Sequence, residues 1–260
     1  MKAQKHRAAF TILELALVVA TIALLLAMML PALASTATKS QRIICVNNLK
    51  DTFTAFKIWE SENNDQFPMA ISTASGGGKE YVYSYAEQTP VSYRPWALFQ
   101  LCSNQLATPK ILYCPSDENP NPAISGNNGP TMHVGSYATS FANAGGFDDG
   151  YISYFVAGDA TISYPGIIIF GDRNLGTLGT TANNPTPATV MFPDSREICT
   201  LSSMATWAWT AQDSHLGAGN LGLTDGSVSQ VTVNGLRQIL ISSTNGLSSG
   251  DLIGAYYNFP

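Results

Sequence analysis

Asp172-Arg173, Asp213-Ser214-His215 and Asp225-Gly226 are the side chains of this chain best suited by type to acid–base or nucleophilic chemistry. A hydroxyl, an imidazole and a carboxylate become a catalytic set only when they converge in space, with the base oriented by a third group. Asp213, Ser214 and His215 are neighbours along the chain, which does not bring that about. Gly217-x-Gly219 lacks the third glycine and the following helix of a dinucleotide site. The chain has three histidines and no Cys-x-x-Cys pair, so a zinc site of the usual spacing is not expected. Asp225 or Asp148-Asp149 could offer oxygens to calcium, but their spacing fits no known loop. These residues therefore read as structural. Asp172-Arg173 and His215 are expected to tie a C-terminal hairpin to a central strand by charge-assisted bonds, with no catalytic residue, metal or cofactor.

The elements that must position them begin with an apolar run. From Phe10 to Leu33 the only formal charge is Glu14, and about 20 apolar residues suffice for a helix to cross a bilayer. A carboxylate within such a span is costly and asks for a partner. Lys2, Lys5 and Arg7 precede the run, which by the positive-inside tendency keeps the N-terminus cytoplasmic and the rest outside. Pro31-Ala32-Leu33-Ala34 before Ser35 also has the small-residue form of a secretory cleavage site, although the run is longer than such signals and carries a charge. A plain membrane anchor is a third possibility.

The stretch Ala9-Phe10-Thr11-Ile12-Leu13-Glu14 followed by the apolar run resembles the class III signal of type IV prepilins and type II secretion pseudopilins. That resemblance implies cleavage by a prepilin peptidase between Ala9 and Phe10, and N-methylation of Phe10. It places Glu14 at mature position five and Pro31 at mature position twenty-two, where the family has them; Ala9 stands where glycine is commonest. In a staggered filament Glu14 of one subunit would meet the Phe10 ammonium of another, and out of water such a pair selects register. Pro31 removes a helix hydrogen bond and is expected to kink the helix.

Ser35 to Glu62 continues as a helix, with Cys45, Leu49, Phe53, Phe56 and Trp59 forming a stripe at three- and four-residue steps. Phe10 to Glu62 would make one kinked helix of about 80 Å at 1.5 Å per residue. Asn63-Asn64-Asp65 and Phe67-Pro68 end it. Cys45-Val46-Asn47-Asn48-Leu49-Lys50, the Phe67-Pro68 turn, Cys114-Pro115-Ser116-Asp117 and His215, nine residues, Asp225-Gly226 resemble elements of planctomycete-type prepilin-like proteins. Tyr81, Tyr83 and Tyr85 alternate as one face of a strand, and Trp96 to Gln105 reads as a short helix. Ile167 to Phe170 is a buried strand, followed after Asp172-Arg173 by a polar loop of about twenty residues. Leu221 to Leu223, the Asp225-Gly226 turn and Val228 to Val233 form a hairpin. Cys45, Cys102, Cys114 and Cys199 allow three two-bridge connectivities, and Cys45 could equally be a small core residue.

The expected fold is α+β and type IV pilin-like, a long N-terminal helix packed on an antiparallel β-sheet head. Its parts are a leader (1–9), a transmembrane or filament-core helix (10–33), its amphipathic continuation (34–62) and a head (63–260) with a C-terminal hairpin. Loss of the leader would take the formal charge from −5 to −8 by removing Lys2, Lys5 and Arg7, which argues against nucleic acid as a partner. The implied role is a non-enzymatic filament subunit of a type IV pilus or type II secretion pseudopilus. Its partners would be copies of itself or related subunits, the prepilin peptidase, an inner-membrane assembly platform with its motor, and the membrane before assembly. The rival is a secreted or anchored enzyme, or a glycan-binding module, with its site near His215.

Overall fold

The computed structural model describes residues 11–84, 87, 90–117, 138–142, 147–177, 190–191, 196–199, 206–210, 215, 217–247 and 255–260. The chain divides into two compact units, one ending at Ser40 and one from Gln41 to Pro260. Helix α1 spans Ile12–Glu62 and supplies residues to both.

In the first unit the apolar residues Ile12, Leu13, Leu15, Leu17, Val18 and Val19 are all exposed, Ile12 by 87%. Because they are nearly consecutive, they occupy every side of the helix. The helix starts with a capping box: Glu14 Oε2 accepts from the Thr11 N–H and hydroxyl, each at 2.9 Å, and the Glu14 N–H donates to Thr11 Oγ1. Pro31 falls within the same helix. Among the described residues no helix is long and apolar enough to cross a membrane; the described side chains of this apolar segment stop at Met28.

In the second unit Cys45, Leu49, Phe56 and Trp59 of α1 are buried and Phe53 is half-buried, the stripe that their spacing predicts, and Thr52 is buried beside them. The helix ends where Asn63 Nδ2 donates to the Trp59 carbonyl at 2.7 Å. Asn64 (φ 58°) and Asp65 (φ 55°) then turn left-handed, a conformation that short polar side chains tolerate best after glycine. Helices α2 (Pro95–Leu101) and α3 (Ser103–Leu106) follow.

Six strands form an antiparallel sheet: β1 (Tyr154–Ala157), β2 (Ile168–Asp172), β5 (Arg196–Cys199), β7 (Ala218–Leu223), β8 (Val228–Thr232) and β9 (Ala255–Asn258), in the order β5-β9-β1-β2-β7-β8. A smaller antiparallel sheet has the order β4 (Val190–Met191), β3 (Leu175–Thr177), β6 (Trp207–Trp209). Helix α4 (Val233–Leu247) lies between β8 and β9 in sequence and touches β2, β6, β8 and β9. All five residues of β2 are buried, as its Ile-Ile-Phe run requires. The Phe56 ring stands edge-on to Phe170 of β2 (centroids 4.7 Å, 83°) and to Phe99 of α2 (5.7 Å). The fold is thus mixed α+β with an antiparallel sheet.

Several expectations are corrected. Lys79–Tyr81 is a 3-10 turn, not a strand. The backbone N–H and carbonyl of Tyr83 are taken instead by the Asn258 side chain, at 2.7 and 2.9 Å, so a side chain substitutes for a neighbouring strand. Tyr85 lies outside the described residues. The helix expected over 96–105 is two helices broken at Cys102. The loop after Arg173 begins with β3. The hairpin is not the last element: Val233 opens α4, and β9 then inserts between β1 and β5. Cys45 and Cys114 form a disulfide, while Cys102 and Cys199 are buried free thiols. Burial pushes the Cys199 thiol up to about 12 and Cys102 higher still, which keeps both protonated and unreactive.

Phe56→Ala removes the ring shared by α1, α2 and β2 and is expected to cost about 3–5 kcal/mol. Denaturant unfolding followed by tryptophan fluorescence measures it; a loss below 1 kcal/mol would mean that this contact does not anchor the core.

Candidate functional site

The Tyr113–Cys114 segment is clamped to α1 at two points three residues apart, and so on one helix face. Cys45 holds Cys114 through the disulfide, and Asn48 Nδ2 donates to the Tyr113 carbonyl at 2.9 Å. The Cys-x-Asn-Asn and Cys-Pro-Ser-Asp motifs are thereby two halves of one joint. Behind it, the Cys114 N–H donates to Ser153 Oγ, the Ser153 N–H to the Leu112 carbonyl and the Arg173 N–H to the Ser153 carbonyl. The segment is therefore stitched to the end of β2 as well.

Two buried charged groups complete the cluster. Arg173 grips Asp117 with both prongs of its guanidinium, Nε to Oδ2 at 2.7 Å and Nη2 to Oδ1 at 2.8 Å, a bidentate and directional pair. One residue earlier, Asp172 Oδ2 accepts from the Asn220 N–H (2.7 Å) and Asn220 Nδ2 (2.9 Å) and lies 3.2 Å from His215 Nε2. His215 Nε2 is also 3.0 Å from Asn220 Nδ2 and 3.5 Å from Cys114 Sγ. Arg42 Nη2 donates to the His215 carbonyl at 3.2 Å. Burial pushes the Asp172 carboxyl above its usual range, against the opposing pull of His215 and the Asn220 N–H.

Asp172 and His215 meet at the junction of β2 with β7, whereas Arg173, expected in the same tie, pairs with Asp117 instead. His215 is 1% exposed and Asp172 equally so; both face the protein interior. Asp213 and Ser214 lie outside the described residues, as do Ala9 and Phe10. Asp225 and Gly226 do not join His215. They form the turn at the far end of β7, whose six residues span about 20 Å. There the Thr224 and Asp225 N–H groups donate to the Ile167 and Pro165 carbonyls, and Asp225 Oδ1 accepts from the Ser227 N–H. Gly226 has φ 86°, and a Cβ on it would come within 2.8 Å of the Phe53 ring. The nine-residue spacing is thus the length of β7 and its flanks, measured from Arg42 and Cys45 at one end to Phe53 at the other. The other candidate calcium oxygens are engaged too: Asp148 Oδ1 accepts from the Gly150 N–H and Asp149 Oδ1 from the Trp96 N–H.

Sequence reasoning missed Asp117, Asn220 and Asn48 as members of the cluster. Asn48 and Asp117 stood inside recognised motifs, but nothing in the sequence indicated which residues they face. Compared with known protein families, with curated proteins and with solved structures, the chain has no match.

Arg173→Met leaves the Asp117 carboxylate buried and unpaired and is expected to cost about 3–5 kcal/mol, most of it recovered when Asp117→Leu is added. Unfolding midpoints of the single and double variants decide this; a double variant no more stable than the single would contradict it. At the turn, Gly226→Ala is expected to cost at least about 1–2 kcal/mol from its left-handed backbone alone. Asp225→Asn, which keeps the accepting oxygen, should be near neutral. The same unfolding measurement distinguishes them, and a large loss at Asp225→Asn would show that the carboxylate does more than hold the turn.

Proposed function

We propose that the chain is a pilin-like structural subunit, built as a long N-terminal helix carrying an antiparallel-sheet head and joined to its neighbours through that helix. The observation that carries this reading is the front of α1. Residues 12–28 expose leucine, isoleucine, valine and methionine side chains on all sides, with Glu14 the single charge among them. A helix that is apolar all round belongs in a protein core or a membrane, and its surface calls for cover by lipid before assembly and by other subunits after it. Phe10, once freed by cleavage after Ala9 and methylated, provides the ammonium that Glu14 of a neighbour would meet. Pro31, which lacks an N–H, withdraws one hydrogen bond from the helix. The prepilin peptidase and an inner-membrane assembly platform are the partners this role requires. The head would then lie outside the cytoplasm, where a Cys45–Cys114 disulfide persists. The enzyme reading centred on His215 gains little, because a hydrolytic base must reach its substrate and this imidazole is enclosed.

Mass spectrometry of the N-terminal peptide from the native host is expected to find a chain beginning at N-methylated Phe10; a start at Ser35 would sink the reading. Glu14→Ala should abolish assembly while leaving the head folded. Because Glu14 also caps α1, Thr11→Ala is the control, since it breaks the capping box and keeps the carboxylate. Equal loss of assembly in both variants would transfer the role of Glu14 from subunit pairing to helix capping.

A further inference from the structure

The Cys45–Cys114 disulfide and His215 bring three metal-ligating side chains to one buried point, and Asp172 adjoins His215. The two sulfurs and a ring nitrogen of His215 all lie within 4.8 Å of one another. His215 Nε2 is 3.5 Å from Cys114 Sγ and 3.2 Å from Asp172 Oδ2. With ligand bonds of about 2.3 Å for sulfur and about 2.0–2.1 Å for nitrogen and oxygen, the edges of a zinc tetrahedron are about 3.6 Å for N–S and about 3.3 Å for N–O. Two of the edges are therefore present already. The two sulfurs are too close while they are bonded to each other, and Asp172 stands outside the three ligands that lie within 4.8 Å of one another.

The hydrogen bonding at this point leaves a place for a cation. Asn220 Nδ2 donates to Asp172 Oδ2 and also faces His215 Nε2 at 3.0 Å. Asp172 Oδ2 and His215 Nε2 face each other at 3.2 Å, a separation that one bound cation spans. Asp172 Oδ1 and Asn220 Oδ1 are buried without a hydrogen-bond partner, a cost that a charge on the carboxylate's own ligand offsets.

We propose that the disulfide and a tetrahedral metal site are alternative states of this pocket: once reduced, Cys45 Sγ and Cys114 Sγ join His215 Nε2 and Asp172 Oδ2 to bind Zn2+ or an ion of like preference. Reduction breaks the Sγ–Sγ bond and takes two electrons and two protons from a dithiol, which closes to its own disulfide. Metal binding then releases the two thiol protons to the buffer. The four ligands and the ion carry one net negative charge, next to the Arg42 guanidinium on the His215 carbonyl. The disulfide loop joins residues 69 apart in sequence, so the metal would hold closed the same joint between α1 and the Tyr113–Cys114 segment. This proposal stands independently of the filament reading.

The test uses the full chain, reduced by a dithiol under anaerobic conditions and titrated with Co2+ and then Zn2+. The expected result is one Co2+ per chain, with near-ultraviolet thiolate charge transfer and the visible bands of a tetrahedral ion, displaced by Zn2+ and absent from the oxidised chain. Cys102→Ser with Cys199→Ser should keep the signal; His215→Ala should lose the tetrahedral spectrum. Asn220→Ala, which frees the carboxylate ligand, should weaken binding about 10–100-fold. Circular dichroism of the same samples records folding, and a reduced chain that unfolds but regains its fold with Zn2+ also supports the site. A folded, reduced chain without thiolate absorption overturns the proposal. So does a six-coordinate spectrum, a signal that survives Cys45→Ser with Cys114→Ser, or a reduced chain that unfolds and binds nothing.

Discussion

Two carboxylates, Asp117 and Asp172, are buried in the second unit, which is arranged so that neither is left alone. Arg173 answers the first and His215 with Asn220 the second. Adjacent residues of a strand point to opposite faces, and the chain has left β2 at Asp172. Asp172 and Arg173 can therefore serve two different partners from one place. Buried charges of this kind are poor sources of net stability but costly to mispair. They fix which segment sits where: the Cys-Pro-Ser-Asp segment on one side, the start of β7 on the other.

The disulfide fixes the third party. Cys45 and Asn48 present one face of α1 to the Tyr113–Cys114 backbone, and Phe53 and Phe56 continue that contact toward the Gly226 turn and Phe170. Helix and strand thus share a common ruler. Strand β7 runs from the disulfide end of the α1 stripe to the Phe53 end, and inserting a residue in either would misplace one of the two contacts.

Much of this was legible in the sequence because it is periodic or punctuated. The α1 stripe, the buried β2 run and the Asp225-Gly226 turn each carry a local pattern that permits few other conformations. The tie between Asp172 and His215 was legible too, since two titratable groups flanking a strand and a hairpin need partners. What could not be read is convergence. Asp117, Asn48 and Asn220 have ordinary local surroundings, and only the assembled sheet sets them against their partners. The tyrosine alternation at 81–85 misled because alternation reports two faces, not a ladder; one carboxamide, Asn258, satisfies the backbone that a strand neighbour would have paired. Strand β9 was missed because Ala255–Asn258 is four residues long and its burial comes from strands made much earlier.

Strand β9 also sets an order of events. It is an inner strand that, among the described residues, joins β5 to the rest of the six-stranded sheet, and Asn258 reaches back 102 residues to Val156 and 175 to Tyr83. While the chain is still emerging from the ribosome, the strand that pairs with β5 and the carboxamide that binds the Tyr83 backbone have yet to be made. The sheet can therefore close only after synthesis has passed residue 258, through contacts of very long sequence separation, which are slow to form. Up to that moment the six-stranded sheet of the second unit remains unfinished.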